Sequence, residues 1–131
     1  MALRNDACFG KINIFNSKND CLDLSYGIYN IENLNLKNCK DKAISVGEKS
    51  TLNAQKAITK DSNYGLVSKD SSKAIIENLT SNKNRYCVSA YKKKQEFDGG
   101  FVKINKMNCN NYHKKLEKDD FSKVFIYNEL M

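Results

Sequence analysis

The chain has 131 residues, with 22 Lys and Arg against 15 Asp and Glu, for a formal net charge of +7. That length bounds it to one domain, and 40% apolar content suits a packed core rather than a disordered segment. No run of apolar residues is long enough to cross a bilayer as a helix.

The charge is almost all lysine. Only Arg4 and Arg85 are arginine, so the bidentate grip that phosphate recognition favours is scarce. Lys, Asn and Ile are all frequent while Trp and Pro are absent, which reads as compositional bias and argues against a nucleic-acid partner. Residues 1–7 lack the basic-then-apolar build of a secretory signal. An exported protein would therefore be represented here by a fragment or a processed form.

In chain order, Ala7, Phe9, Ile12 and Ile14 match Tyr29, Ile31, Leu34 and Leu36 at a step of 22. The chain is thus expected to enter a repeat partway through a turn, continuing from an upstream region. Full coils follow. Leu22, Ile44, Leu66 and Val88 keep the step of 22, as do Leu24, Val46, Ser68 and Ala90, and Cys21, Ala43, Gly65 and Cys87. A fixed period in this range is the mark of a solenoid.

Each coil reads as three short strands. The first places Leu22 and Leu24 inward by the period of two. The second places Tyr29 and Ile31 inward, and after Glu32 and Asn33 the third places Leu34 and Leu36 inward. The same text returns with Leu52, Ala54, Ala57 and Thr59, with Ala74, Ile76, Leu79 and Ser81, and with Val102, Ile104, Met107 and Cys109. Asn33 and Asn78, at the second bend position, are expected to take a left-handed backbone. Ile58 falls on an outward position and makes the third strand of its coil the least regular.

The turn after the first strand varies. It holds four residues after Leu24, five after Val46, five after Ser68 and eleven after Ala90. That last insertion, 91–101, carries Lys92, Lys93, Lys94, Gly99 and Gly100. Such insertions map to one face of a solenoid and are often its binding face. After Cys109 the repeat is expected to end. Residues 112–118 read as a short helical turn, 124–127 as a last strand, and 112–131 together as a C-terminal cap over the open sheet edge. His113 reads as a surface residue of that cap.

Together these predict an all-β fold: a right-handed single-stranded parallel β-helix of three strands per coil and four to five coils, spanning residues 1–111, with 112–131 as its cap. A leucine-rich repeat is excluded because neither its consensus nor its helical half is present. Cys8, Cys21, Cys39, Cys87 and Cys109 lack CxxC spacing and His113 is the lone histidine, so no metal site and no cofactor are expected. Cys21, Cys87 and Cys109 fall on core positions and read as small buried hydrophobes. They are expected to lie too far apart along the rod to bond with one another.

The coil texts around Asp20 to Ser25, Asp41 to Ser50 and Gly65 to Ser72 resemble β-helix repeats of bacterial surface and exported proteins, in particular the segment that accompanies spore-coat-kinase-like (CotH-like) proteins. The resemblance covers residues 8 to about 110 and implies the fold, an upstream domain and a surface or exported location. It implies no activity, since the kinase-like part is absent. A weaker resemblance is to polygalacturonase-type glycoside hydrolases. Asp20 matches the carboxylate of their first motif and Asp41 one of their paired carboxylates, while Lys42 replaces the other and Tyr64 replaces the histidine. An inverting pair stands roughly 6.5–9.5 Å apart, but Lys42 beside Asp41 works against a general acid. Calcium-dependent polysaccharide lyases are similar in fold. The outer face of the first sheet, expected to show Asp23, Ser45, Val67 and Ser89, is too poor in carboxylates for calcium.

The expected function is therefore a non-catalytic module, structural or presenting a face to polysaccharide or a partner protein. The candidate face is Asp20, Lys42, Tyr64 and Tyr86 with Tyr91, Lys92, Lys93 and Lys94 beside it. The alternative is a polysaccharide-processing enzyme using Asp20 and Asp41.

Overall fold

A computed structural model describes residues 1–131. The chain forms thirteen strands and no helix: β1 (Ala2–Leu3), β2 (Ala7–Ser17), β3 (Leu22–Leu24), β4 (Ile28–Cys39), β5 (Lys42–Val46), β6 (Thr51–Lys60), β7 (Tyr64–Lys69), β8 (Lys73–Asn82), β9 (Tyr86–Tyr91), β10 (Phe101–Asn110), β11 (Lys114–Lys118), β12 (Lys123–Ile126) and β13 (Glu129–Leu130). Odd-numbered strands from β1 to β11 stack in parallel into a first sheet. The even-numbered strands stack likewise into a second, with β13 added antiparallel at its end. This is a parallel β-helix of six turns.

The predicted columns exist. Leu22 stands in register with Ile44, Ile44 with Leu66 and Leu66 with Val88. All four are fully buried. In the second sheet Tyr29 pairs with Leu52, Leu52 with Ala74 and Ala74 with Val102. The longer turns are thus absorbed outside the ladder, and the core stays in step. Ile58 points outward and is half-buried, in register with Asn35 and Thr80. No turn covers its own apolar face, so stability comes from neighbour on neighbour.

Five expectations change. The second and third strands are one long strand. Glu32 and Asn33 both point outward where it bends, with Ile31 and Leu34 inward on either side, and the ladder resumes beyond the bend. There are six turns rather than four to five, because Ala2–Leu3 pairs with β3 and residues beyond Cys109 make another turn. Residues 114–118 are a strand, not a helical turn. Leu116 stacks on Val88, and Val124 and Ile126 stack on Val102 and Ile104. The long 91–101 insertion moved Leu116 to 28 residues after Val88 and hid that match, while Val124 and Ile126 keep the step of 22 from Val102 and Ile104. Within 112–131, β13 then pairs with β12 and covers that edge of the second sheet.

The left-handed residues are also elsewhere. Asn33 and Asn78 are ordinary. Asn16, Asn38, Asp61, Lys83 and Asn111, at or just past the ends of the second-sheet strands, have φ between 51° and 62°. Asx residues suit that conformation, and Asn38 Nδ2 donates to Asn16 Oδ1 at 2.9 Å, one turn below. Finally, the cysteines are not all free. Cys21 bonds Cys39 and Cys87 bonds Cys109, with Cα separations of 5.5 and 6.4 Å. Cys109 is one turn's length of chain after Cys87, so the winding returns it to the same level of the rod. Each bond closes a single turn. Cys8 remains free and exposed.

Candidate functional site

The first sheet bends in the opposite sense to the second. Ala43 and Ile44 are consecutive and both buried in the core, as are Gly65 with Leu66 and Cys87 with Val88. Two consecutive inward residues splay on the interior side, so the outer surface is drawn into a groove along the rod. Its floor is the column Asp23, Ser45, Val67 and Ser89. Ser45, Val67 and Ser89 have no exposed surface, contrary to the open face expected of them, because the flanking side chains close over the floor. The hydroxyls of Ser45 and Ser89 have no hydrogen-bond partner.

One wall is the column predicted from sequence. Lys42 pairs with Tyr64, Tyr64 with Tyr86 and Tyr86 with Lys114, and Asp20 Oδ1 accepts the Lys42 backbone N–H at 3.1 Å. The rings of Tyr64 and Tyr86 stack at 4.8 Å. The Lys42 ammonium lies 5.8 Å from the Tyr64 centroid, and Arg85 lies 5.4 Å from that of Tyr86. His113 meets Tyr86 edge-on at 6.4 Å. The ring faces are therefore occupied along the rod axis, leaving edges and hydroxyls toward the groove. Burial raises the Tyr64 phenol above its ordinary value, with Glu117 adding to the effect.

Asp20, Lys42 and Asp41 form a charge cluster at one end of this wall. The Lys42 ammonium lies 2.9 Å from Asp41 Oδ2 and 4.0 Å from Asp20 Oδ1. Burial opposes its charge, but the Asp41 hydrogen bond and the Asp20 charge lift it above the ordinary lysine value. Burial raises Asp20, outweighing the Lys42 contacts.

The other wall is Lys69 in register with Tyr91. Burial pushes the Tyr91 phenol up, against the pull of Lys42. Burial also lowers the Lys69 ammonium below its ordinary value, and repulsion from Lys42 and Lys93 adds to this. The sequence reading passed over Lys69. The signal was there: it stands two residues beyond Val67 on the outward period of two, one rung from Tyr91.

The lysine triplet divides. Asp70 Oδ1 accepts both the Lys93 and Lys94 backbone N–H groups, at 2.8 and 2.9 Å, which pins the loop. Lys94 pairs with Glu48 at 3.1 Å. Lys92 turns aside, its ammonium 4.4 Å from the centroid of Phe121. Lys93, Lys94, Lys69, Lys42, Asp20 and Asp41 all line a cavity of about 610 Å³, together with Arg4. Of the sequence candidates, Tyr64, Tyr86, Tyr91 and Lys92 do not line this cavity. No cluster of His, Cys, Asp and Glu is placed to hold a metal ion.

No family model, curated protein or solved structure matches the chain.

Proposed function

We propose that this β-helix is a non-catalytic module whose first-sheet groove binds an extended carbohydrate. One observation carries the reading. Polar side chains repeat along the two walls at the rung spacing of about 4.8 Å, and at the Asp23 end, beyond the closed floor, a cavity lined by both signs of charge opens. An extended chain of sugar hydroxyls is matched by a row of donors and acceptors at regular intervals. The two disulfides support an oxidising, exported setting.

Affinity electrophoresis against soluble glycans tests the reading. Retention by at least one glycan, weakened when Tyr91 and Asp41 are replaced by Ala, is the expected result. Full mobility in every glycan would overturn it.

The enzymatic alternative rests on Asp20, whose raised proton affinity suits a general acid. Against it stands Lys42, whose ammonium lies 2.9 Å from Asp41 and 4.0 Å from Asp20 and favours the ionised form of both carboxylates. Release of reducing ends or unsaturated sugar, lost in Asp20→Asn, would establish the alternative.

A further inference from the structure

Five cationic side chains line the cavity, Arg4, Lys42, Lys69, Lys93 and Lys94, and two of them are already neutralised. Lys42 is matched by Asp41 and Asp20, and Lys94 by Glu48. Lys69 is different. It forms no ion pair within 4.0 Å and is half-buried. Its Cε lies 3.7 Å from the point where a β-carbon on Gly47 would stand. The side chain therefore runs over Gly47 of the preceding turn and lines the cavity. Lys93 reaches the same cavity from a loop that Asp70 pins.

We infer that the open end of the groove is an anion subsite, in which the Lys69 ammonium, with Lys93 beside it, takes the carboxylate or sulfate group of an acidic glycan. This rests on the carbohydrate reading above and specifies its ligand. The chemistry follows from an ammonium that is desolvated and unmatched. Burial and the neighbouring Lys42 and Lys93 both disfavour its charge, and the attraction of an arriving anion offsets these penalties. Asp70, next in the chain, and Asp23, which lines the same cavity, favour the charge from a distance, but neither makes an ion pair with it. A lysine, presenting a compact point charge, suits either acid group without demanding planar geometry.

The test is affinity electrophoresis of the whole chain in gels containing polygalacturonate, dextran sulfate or neutral dextran. Parent, Lys69→Met and Lys103→Ala proteins are run side by side. Lys103 is an exposed lysine of the second sheet, so its removal changes net charge equally without touching the groove. The expected result is retention by one or both acidic polymers. Lys69→Met should weaken it about tenfold, the scale of one charge-assisted hydrogen bond, while Lys103→Ala leaves it nearly unchanged. The favoured acid group identifies the ligand class.

Equal losses in the two variants would reduce the effect to net charge and overturn the subsite. Binding to neutral dextran alone would overturn it too, while sparing the carbohydrate reading. Binding to none of the three polymers overturns the subsite, and only a wider glycan panel decides the carbohydrate reading. Tighter retention by single-stranded DNA than by either acidic polymer would assign the cations to a nucleic acid and overturn the inference. Because Lys69→Met removes a desolvated charge, it should fold at least as well as the parent. A melting temperature at or above the parental one excludes loss of fold as the cause of lost binding.

Discussion

Tyr64 and Tyr86, one turn apart, stack with ring planes 19° from parallel. They form part of the groove wall and also tie two turns together. Stacked aromatic pairs contribute about 0.5–1.5 kcal/mol beyond their buried area. A double-mutant cycle with Tyr64→Ala and Tyr86→Ala, read by urea denaturation, should return a coupling energy in that range. A coupling near zero would mean the rings are only neighbours.

Each disulfide closes a loop of one turn, Cys21 to Cys39 and Cys87 to Cys109. In the chain-entropy account such loops are worth about 3 kcal/mol each. Reductant should lower the melting temperature markedly, and Cys21→Ser with Cys39→Ser should reproduce part of that fall. Under native non-reducing conditions a thiol reagent should label one site, Cys8. Labelling of more than one would contradict the pairing.

Asn84 is buried inside a corner and fully engaged. Its Nδ2 donates to Thr59 O, Thr59 Oγ1 and Ser81 Oγ, and its Oδ1 accepts from the Ser62 backbone N–H. The fit depends on Gly65, where a β-carbon would stand 3.1 Å from that Nδ2. Asn84→Ala strands buried polar groups and should cost about 3 kcal/mol. At the groove floor the sign reverses. Ser45→Val removes an unpartnered buried hydroxyl at a position where the next turn already carries Val67. It should stabilise by about 1 kcal/mol. Chemical denaturation measures both.

The groove charges make opposite predictions along the pH axis. Lys69 has a folded-state proton affinity below its ordinary value of 10.5. Its contribution to stability is present above that pH and is lost as pH falls through the lower folded value. Lys69→Met should therefore be the more stable protein at neutral pH, with the advantage fading as pH rises toward 10.5 and gone above it. Asp20 is raised from 3.8. Its contribution is present below that pH and is lost as pH rises through the folded value. Asp20→Asn, which keeps an acceptor for the Lys42 N–H, should gain stability at neutral pH and converge with the parent in acid. Melting temperatures across the range decide both.

The 91–101 loop is held by close approach. A β-carbon on Gly100 would collide with the Ser68 carbonyl, and one on Gly99 with that of Phe121. Gly100→Ala should loosen the loop while sparing the rest of the rod. Trypsin should then cut at Lys92 to Lys94 several-fold faster than in the parent. An unchanged rate would show that the loop does not depend on this contact.

Leu22, Ile44, Leu66 and Val88 were legible as a column because a solenoid writes its core into the chain at a constant interval, and stacking neighbours is the only way such a pattern buries its apolar side. The candidate wall of Asp20, Lys42, Tyr64 and Tyr86 was legible for the same reason, since it keeps the same step. What the interval did not carry was anything that depends on how the turn is bent. The pairing of Cys87 with Cys109 requires the winding to bring the end of a turn back beside its start. The burial of Ser45 and Ser89 requires the first sheet to fold outward over them. The isolation of Lys69 requires knowing that Asp41, Asp20 and Glu48 had already paired with Lys42 and Lys94. Periodicity ranks residues along the chain as inside or outside. Distance across the turn, and therefore disulfides, grooves and unpaired charges, exists only once the turn has closed.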